Sequence, residues 1–287
     1  MNSDAAFELL PPREMARIAE EAAVYKTLRA PAQTFFLAIV AGAFIALGFV
    51  FYVTVTTGGA QAPYGLVRLV GGVCFSMGLM LIIVCGGDLF TSTVLTIVAK
   101  ASGRISGRQM LINWGNVYLG NFLGTLLCAC LIWFSGQPAA AKGQWGLNVL
   151  QIADNKLHHD FAETFFLGIF ANLMVCLAVW MSYSGRTLLD KCFIVLLPIG
   201  MFVASGFEHC VANMFLIPLA ILIQAFSPEA FWLAVGHSAG QFAALDIGGF
   251  LNNLLPATLG NIVGGGFLVG WAQWSLHAPK RVRRSVE

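Results

Sequence analysis

Charge is what this sequence has least of. Asp, Glu, Lys and Arg make up 10% of its 287 residues while hydrophobic residues make up 58%, against about a quarter charged in an ordinary soluble domain. That shortage excludes a soluble fold and leaves an integral membrane protein. A net charge of +2 is too small to point to a nucleic-acid partner. Metal-ligand spacing is also missing. The seven cysteines, at 74, 85, 128, 130, 176, 192 and 210, lie in apolar segments with no CxxC pair or Cys/His cluster, so they read as small buried hydrophobes and no metal or cofactor is expected. No HExxH, paired carboxylates or Ser/Lys pair occurs in the apolar runs, which argues against a membrane enzyme. The first thirty residues are polar and charged, without the apolar core of a secretory signal, so the N-terminus is expected to stay in the cytoplasm.

What is there is apolar sequence in membrane-sized pieces. About 20 apolar residues cross the hydrocarbon layer, and six regions qualify, near 34–57, 64–100, 109–135, 160–183, 190–224 and 250–276. With the N-terminus inside, six spans leave only Arg68, Lys142 and Lys156 of the 16 Lys and Arg on the far side. The positive-inside rule thus predicts that both termini are cytoplasmic, including the basic tail at 278–287. Ahead of the first span, residues 1–30 form a separate segment. Within it Met15, Ile18, Ala22 and Tyr25 recur at helical spacing, which predicts an amphipathic helix at the membrane surface or against a partner.

The second and fifth regions are too long for one ordinary span, and each carries an acid in its interior: Asp88 in VCGGDLFTSTV and Glu208 in ASGFEHCVANM. Broken backbone at membrane depth is tolerated only where it is buried in protein or lines a wet cavity, so both regions are expected to break there. The chain also repeats. FFLAIVAGAF (35–44) aligns with FFLGIFANLM (165–174), GGDLFTSTV (86–94) with GFEHCVANM (206–214), and GNFLG (120–124) with GNIVG (260–264). Each half, about 34–135 and 160–276, therefore holds three spans with the middle one broken. Three is odd, so the halves enter the membrane from opposite faces, an inverted repeat of the kind that builds a site where its broken helices meet. Gly120/Gly124, Gly260/Gly264 and Gly266/Gly270 are GxxxG pairs for close helix contact.

At the breaks, the carboxylates of Asp88 and Glu208 are expected to cap the interrupted helices, with ion binding as the rival reading. Asn121 and Asn261, and with them Asn172 and Asn213, are expected to support backbone freed at the breaks. His209 is different, because imidazole titrates near neutral pH and can exchange a proton with a passing anion. A pathway role for His209 stands beside that of a satisfied core histidine.

CGGDLFTSTV, KASGR, NWGNVYLGN, ANLMVCLAVWMSYSGR, ASGFEHCVANM and GNIVGGG together resemble the formate–nitrite transporter family, and more closely its formate channel branch. The likeness runs from EMARIAEEAAVYK near the N-terminus to the end of the sixth span. It implies a homopentamer in a bacterial inner membrane, each protomer an all-α, aquaporin-like bundle with its own pore. It places the second-span break at 85–91, as a loop able to gate the cytoplasmic mouth in a pH-dependent way, and sets Thr91 facing His209. Phe75, Leu79, Leu89, Phe90, Val175 and Phe202 match its hydrophobic constrictions, which from composition alone would be core packing. Lys156, in DNKLHHD, is either a collector of anions at an outer vestibule or a solvated loop residue. The likeness further implies that residues 1–30 control the gate and touch a cytoplasmic formate-producing enzyme, pyruvate formate-lyase. Nitrite and hydrosulfide channels of the same family use the same His and Thr. A water or glycerol channel would share the repeat, but the chain has only AN at 171–172 and 212–213 where paired NPA signatures would stand.

Overall fold

The computed structural model describes residues 9–277, so residues 1–8 and the basic segment 278–287 lie outside the described residues. Among the described residues every regular element is helical. Helix α1 (Pro12–Leu28) precedes α2 (Pro31–Thr56), the first span. The second span runs through α3 (Tyr64–Phe75) and α4 (Met77–Cys85), breaks over 86–89, and resumes in α5 (Phe90–Thr93), a 3-10 turn (Val94–Thr96) and α6 (Ile97–Ala101). Helix α7 (Gly107–Phe134) is the third span. Helix α8 (Gln144–Leu157) links the halves and leads into α9 (Phe161–Ser182), the fourth span. The fifth is pieced together from α10 (Leu188–Ala204) and α11 (Cys210–Phe226), with a break over 205–209, and α12 (Glu229–Val235) turns away from α11 by 109°. The sixth begins as α13 (Ile247–Asn261), widens to a π-helix (Ile262–Trp271) and ends as α14 (Ala272–His277).

The sequence explains where these helices start and stop. Ser106, Asp160 and Thr187 form capping boxes with Gln109, Glu163 and Asp190 at the starts of α7, α9 and α10, satisfying backbone donors that lipid could not. Both breaks carry a glycine at positive φ within their first two residues, Gly86 at 88° and Gly206 at 76°, which a residue with a Cβ adopts only with strain.

The inverted repeat is visible in the packing. Helix α2 lies along α7, and α9 lies along α13 and the π-helix. A Cβ on Gly124 would collide with the Ile39 carbonyl, and one on Gly264 with the Ile169 carbonyl. Ile39 and Ile169 are repeat equivalents, so the same glycine seats the third span on the first in each half. Gly264→Ala and Gly124→Ala are each expected to cost about 1–3 kcal/mol, the range for overpacking a tight contact. At Gly266 an added Cβ would meet its nearest neighbour, the Val94 carbonyl, only at 3.7 Å. Gly266→Ala is therefore expected to leave the detergent-solubilised thermal midpoint unchanged. Equal shifts at all three positions would refute this reading.

Two expectations need correcting. The face of α1 buried against the bundle is Ala16, Ala19 and Ala23, which pack toward α6 and its flanking turns. The Ile18, Ala22 and Tyr25 side instead lines a cavity. Small alanines win because they let helix backbones approach closely. Lys156 is not a loop residue either: it sits in the last turn of α8, with its side chain 14% exposed.

Candidate substrate pathway

The two breaks are held by the same device. Asn121 Oδ1 accepts the Phe90 N–H at 2.7 Å, while its Nδ2 donates to the carbonyls of Ala38 and Asp88. In the other half Asn261 Oδ1 accepts the Cys210 N–H at 2.9 Å, and its Nδ2 donates to Gly168 and Glu208. The Asp88 N–H reaches the Leu37 carbonyl as the Glu208 N–H reaches that of Leu167. Each fully buried asparagine thus takes up three backbone groups, each of which would cost about 1–3 kcal/mol left unmade.

The acids do something other than cap. Asp88, 2% exposed, pairs with Arg29 at 2.5 Å and Lys26 at 3.4 Å. Glu208, fully buried, pairs with Lys156 at 2.8 Å and accepts amide hydrogens from Asn213 at 2.6 Å and Asn253 at 3.3 Å. Carboxylates expected to take freed backbone N–H groups are instead neutralised by a cation from the helix ahead of each repeat, α1 or α8. A buried carboxylate needs a full counter-charge, which neutral amide donors do not supply. Asn113 and Asn253 complete the symmetry by donating to the carbonyls of Lys26 and Lys156. The repeat therefore begins earlier than its spans, with α1 and α8 as equivalents.

With Glu208 neutralised by Lys156, the neighbouring His209 becomes the N-cap of α11. Its Nδ1 accepts the Ala212 N–H at 3.1 Å. An acceptor nitrogen cannot carry hydrogen, so the neutral ring holds its proton on Nε2. That nitrogen lies 3.0 Å from Thr91 Oγ1 on α5, so the two broken spans meet at this pair. If Nε2–H donates to Thr91, the threonine hydroxyl hydrogen remains available to a solute. Phe202 stacks on the imidazole with ring centroids 5.7 Å apart, and Phe75 meets Phe202 edge-on at 5.8 Å.

A cavity approaches from each side. On the α8 side a narrow one of about 50 Å³ is lined by Phe75, Phe202, Lys156, Asn213, Arg68 and His209, and it adjoins a wider mouth of about 410 Å³ through Tyr52, Arg68 and Ile152. On the α1 side a cavity of about 360 Å³ is lined by Leu79, Asp88, Ser92, Val179, Lys26, Arg29 and Lys191. Phe75 and Leu79, one helical turn apart, thus face different cavities. Leu89, Phe90, Thr91 and Val175 are among the lining of neither cavity and are all buried. Phe90 has its ring edge-on to Tyr118 and Trp114, so part of it packs against α7.

Asn172 donates to the carbonyls of Thr91 and Asn261, whereas Asn213, expected to support freed backbone, instead donates to the side chains of Glu208 and Asn253, where the buried carboxylate is the stronger acceptor. Sequence reasoning missed Arg29, Lys26, Asn113, Asn253 and Arg68. Arg68 donates to the carbonyls of Val203 and Ala204 at the end of α10 and to Tyr52 Oη, while lining the α8-side mouth. Its signal was present, as a lone arginine inside an apolar run.

Two cavities in a bundle of apolar helices, one lined by His209 and the other by Leu79, Asp88 and Ser92, with a buried imidazole–hydroxyl pair where the broken spans meet, define a multi-pass helical channel for small solutes. The chain belongs to the formate/nitrite transporter family, whose description "Formate/nitrite transporter" matches residues 13–275. It is similar to the formate channel FocA of Escherichia coli K12, at 58% identity over 278 residues, covering 96% of this chain and 98% of that one. The Haemophilus influenzae formate channel FocA is 54% identical over 262 residues, covering 91% and 92%. A solved pentameric formate channel with formate bound superposes at TM-score 0.83, with 49% identity, covering 86% of this chain and 98% of that chain. These relatives are channels. The all-helical fold with broken spans expected from the sequence is the fold found.

Proposed function

We propose that the chain is a formate channel of a bacterial inner membrane, moving formate or formic acid and other small monovalent anions. The observation that carries this reading is the buried Thr91–His209 pair, at 3.0 Å, between aromatic and aliphatic rings. A dry ring rejects ions that keep their water, and donors inside it favour a small carboxylate. By the Lys/Arg asymmetry the α1-side cavity is the cytoplasmic one and both termini are cytoplasmic. By likeness to the pentameric relative the chain assembles as a homopentamer, with the remaining apolar surface in lipid. The exposed edge of α1, with Tyr25 and Leu28, is assigned on family likeness to contact with pyruvate formate-lyase.

In this reading formate enters past Arg68 and Lys156, passes Phe75 and Phe202, and accepts hydrogen bonds from His209 Nε2–H and Thr91 O–H. Taking a proton there removes most of the cost of desolvating a carboxylate. Because the Ala212 N–H occupies Nδ1, the exchangeable proton is the one on Nε2. Donation to the carboxylate balances only as Nε2 regains a proton from hydronium, relayed by the Thr91 hydroxyl, which gives its own proton to Nε2 as it takes one from the hydronium. Hydronium is thus the net donor, and neither imidazolate nor alkoxide is left.

Proteoliposome flux of formate against nitrite, hydrosulfide, chloride and glycerol tests the assignment. Formate is expected to exceed chloride and glycerol at least about tenfold, a difference of ~1.4 kcal/mol in barrier. Nitrite or hydrosulfide ahead of formate would move the protein to another branch of the family, and glycerol passage would overturn the anion reading.

A further inference from the structure

We propose that Asn172 and Cys176 are positioning residues for Thr91, holding its backbone so that its hydroxyl faces His209. Asn172 Nδ2 donates to the Thr91 carbonyl at 2.9 Å, and the Cys176 thiol donates to the same oxygen at 3.1 Å. The two lie one turn apart on α9, and all three residues are fully buried. A second Asn172 bond, 2.6 Å to the Asn261 carbonyl, ties the clamp to the point where α13 becomes π-helical. Behind it, any side chain on Gly265 would collide with both Asn172 and Cys176. The clamp is therefore closed from the back.

Thr91 needs such help because it sits in the first turn of the helical segment Phe90–Ala101, directly after the break and just ahead of the change to 3-10 geometry at Val94. Its β-branched side chain has few rotamers, so the place of its hydroxyl follows the place of its backbone. The repeat supplies the control. Under the alignment that pairs Phe35 with Phe165, Asn172 and Cys176 correspond to Gly42 and Ala46, which have no side-chain donor. Under the one that pairs Asp88 with Glu208, Thr91 corresponds to Val211. The donor pair thus occurs only in the half that faces the threonine. A bond needed merely to hold the fold would be expected in both halves.

This inference rests on the reading of Thr91 and His209 as the polar step of the formate pathway, and one experiment separates the two. Formate and chloride flux, with their pH profiles, would be measured in proteoliposomes for Cys176→Val, Cys176→Ser and Thr91→Val, normalised to folded protein. Cys176→Val is expected to lower the formate-to-chloride ratio roughly five- to tenfold, the range for one lost hydrogen bond, and to distort the pH profile as Thr91→Val does. Cys176→Ser, which keeps a donor, is expected to restore both. Should the valine variant fail to accumulate, Cys176→Ala carries the same test. A changed Thr91→Val profile with an unchanged Cys176→Val profile, or a serine variant no better than valine, would overturn the positioning role. A Thr91→Val channel identical to wild type would instead overturn the pathway reading beneath it.

Discussion

Lys156→Met is expected to destabilise the protein by about 3–5 kcal/mol, whereas Lys156→Met combined with Glu208→Gln costs far less. The Glu208 side chain is fully buried and its strongest partner is the Lys156 ammonium at 2.8 Å. Removing the cation leaves a carboxylate inside the bundle with amide donors from Asn213 and Asn253 and no counter-charge. An uncompensated buried charge is costly, while removing both charges of such a pair is often close to neutral. The other half gives the comparison. Asp88 keeps Lys26 at 3.4 Å when Arg29 is lost, so Arg29→Met should cost less than Lys156→Met. Thermal midpoints of detergent-solubilised protein for the four variants measure this. Additive effects of Lys156→Met and Glu208→Gln would mean that the pair contributes no coupling.

These ion pairs also show where sequence reading ran out. Interior acids stand out in apolar sequence, so Asp88 and Glu208 were legible as marks of the breaks. Their partners were not, because Arg29 lies 59 residues from Asp88 and Lys156 52 residues from Glu208, and no spacing rule joins residues so far apart in the chain. Part of the gap was readable. Asn113 and Asn121 recur at the spacing of Asn253 and Asn261, which extends the repeat beyond its glycines. Trp145, Val149, Ile152 and Lys156 recur at helical spacing within α8, whose polar side hid it among loops. The π-helix is a different case. Its composition, IVGGGFLVGW, is that of any close-packed span, and its widening depends on what α9 and the second span press against it.

His209→Asn is expected to leave a folded channel whose formate flux no longer rises as the medium is acidified. Asparagine is among the preferred N-cap residues, so its Oδ1 can take the Ala212 N–H that His209 Nδ1 accepts. The start of α11 is then preserved, and loss of function cannot be put down to loss of the helix. What disappears is a group that can give up a proton. Asparagine still offers amide hydrogens toward Thr91 and the solute, so anionic formate keeps hydrogen bonds while the neutral route closes. The acid-stimulated part of the flux is expected to fall about a hundredfold, the low side of what a positioned proton donor contributes, with flux in neutral medium changed much less. Loss of the Phe202–imidazole stack, at 5.7 Å, should also loosen the ring and raise chloride leakage relative to formate. Proteoliposome uptake in acidic and neutral media, with thermal midpoints beside it, tests all three outcomes. An unchanged pH profile in a folded variant would show that the proton comes from bulk water before the solute reaches the ring, and would leave His209 as a hydrogen-bond donor and helix cap.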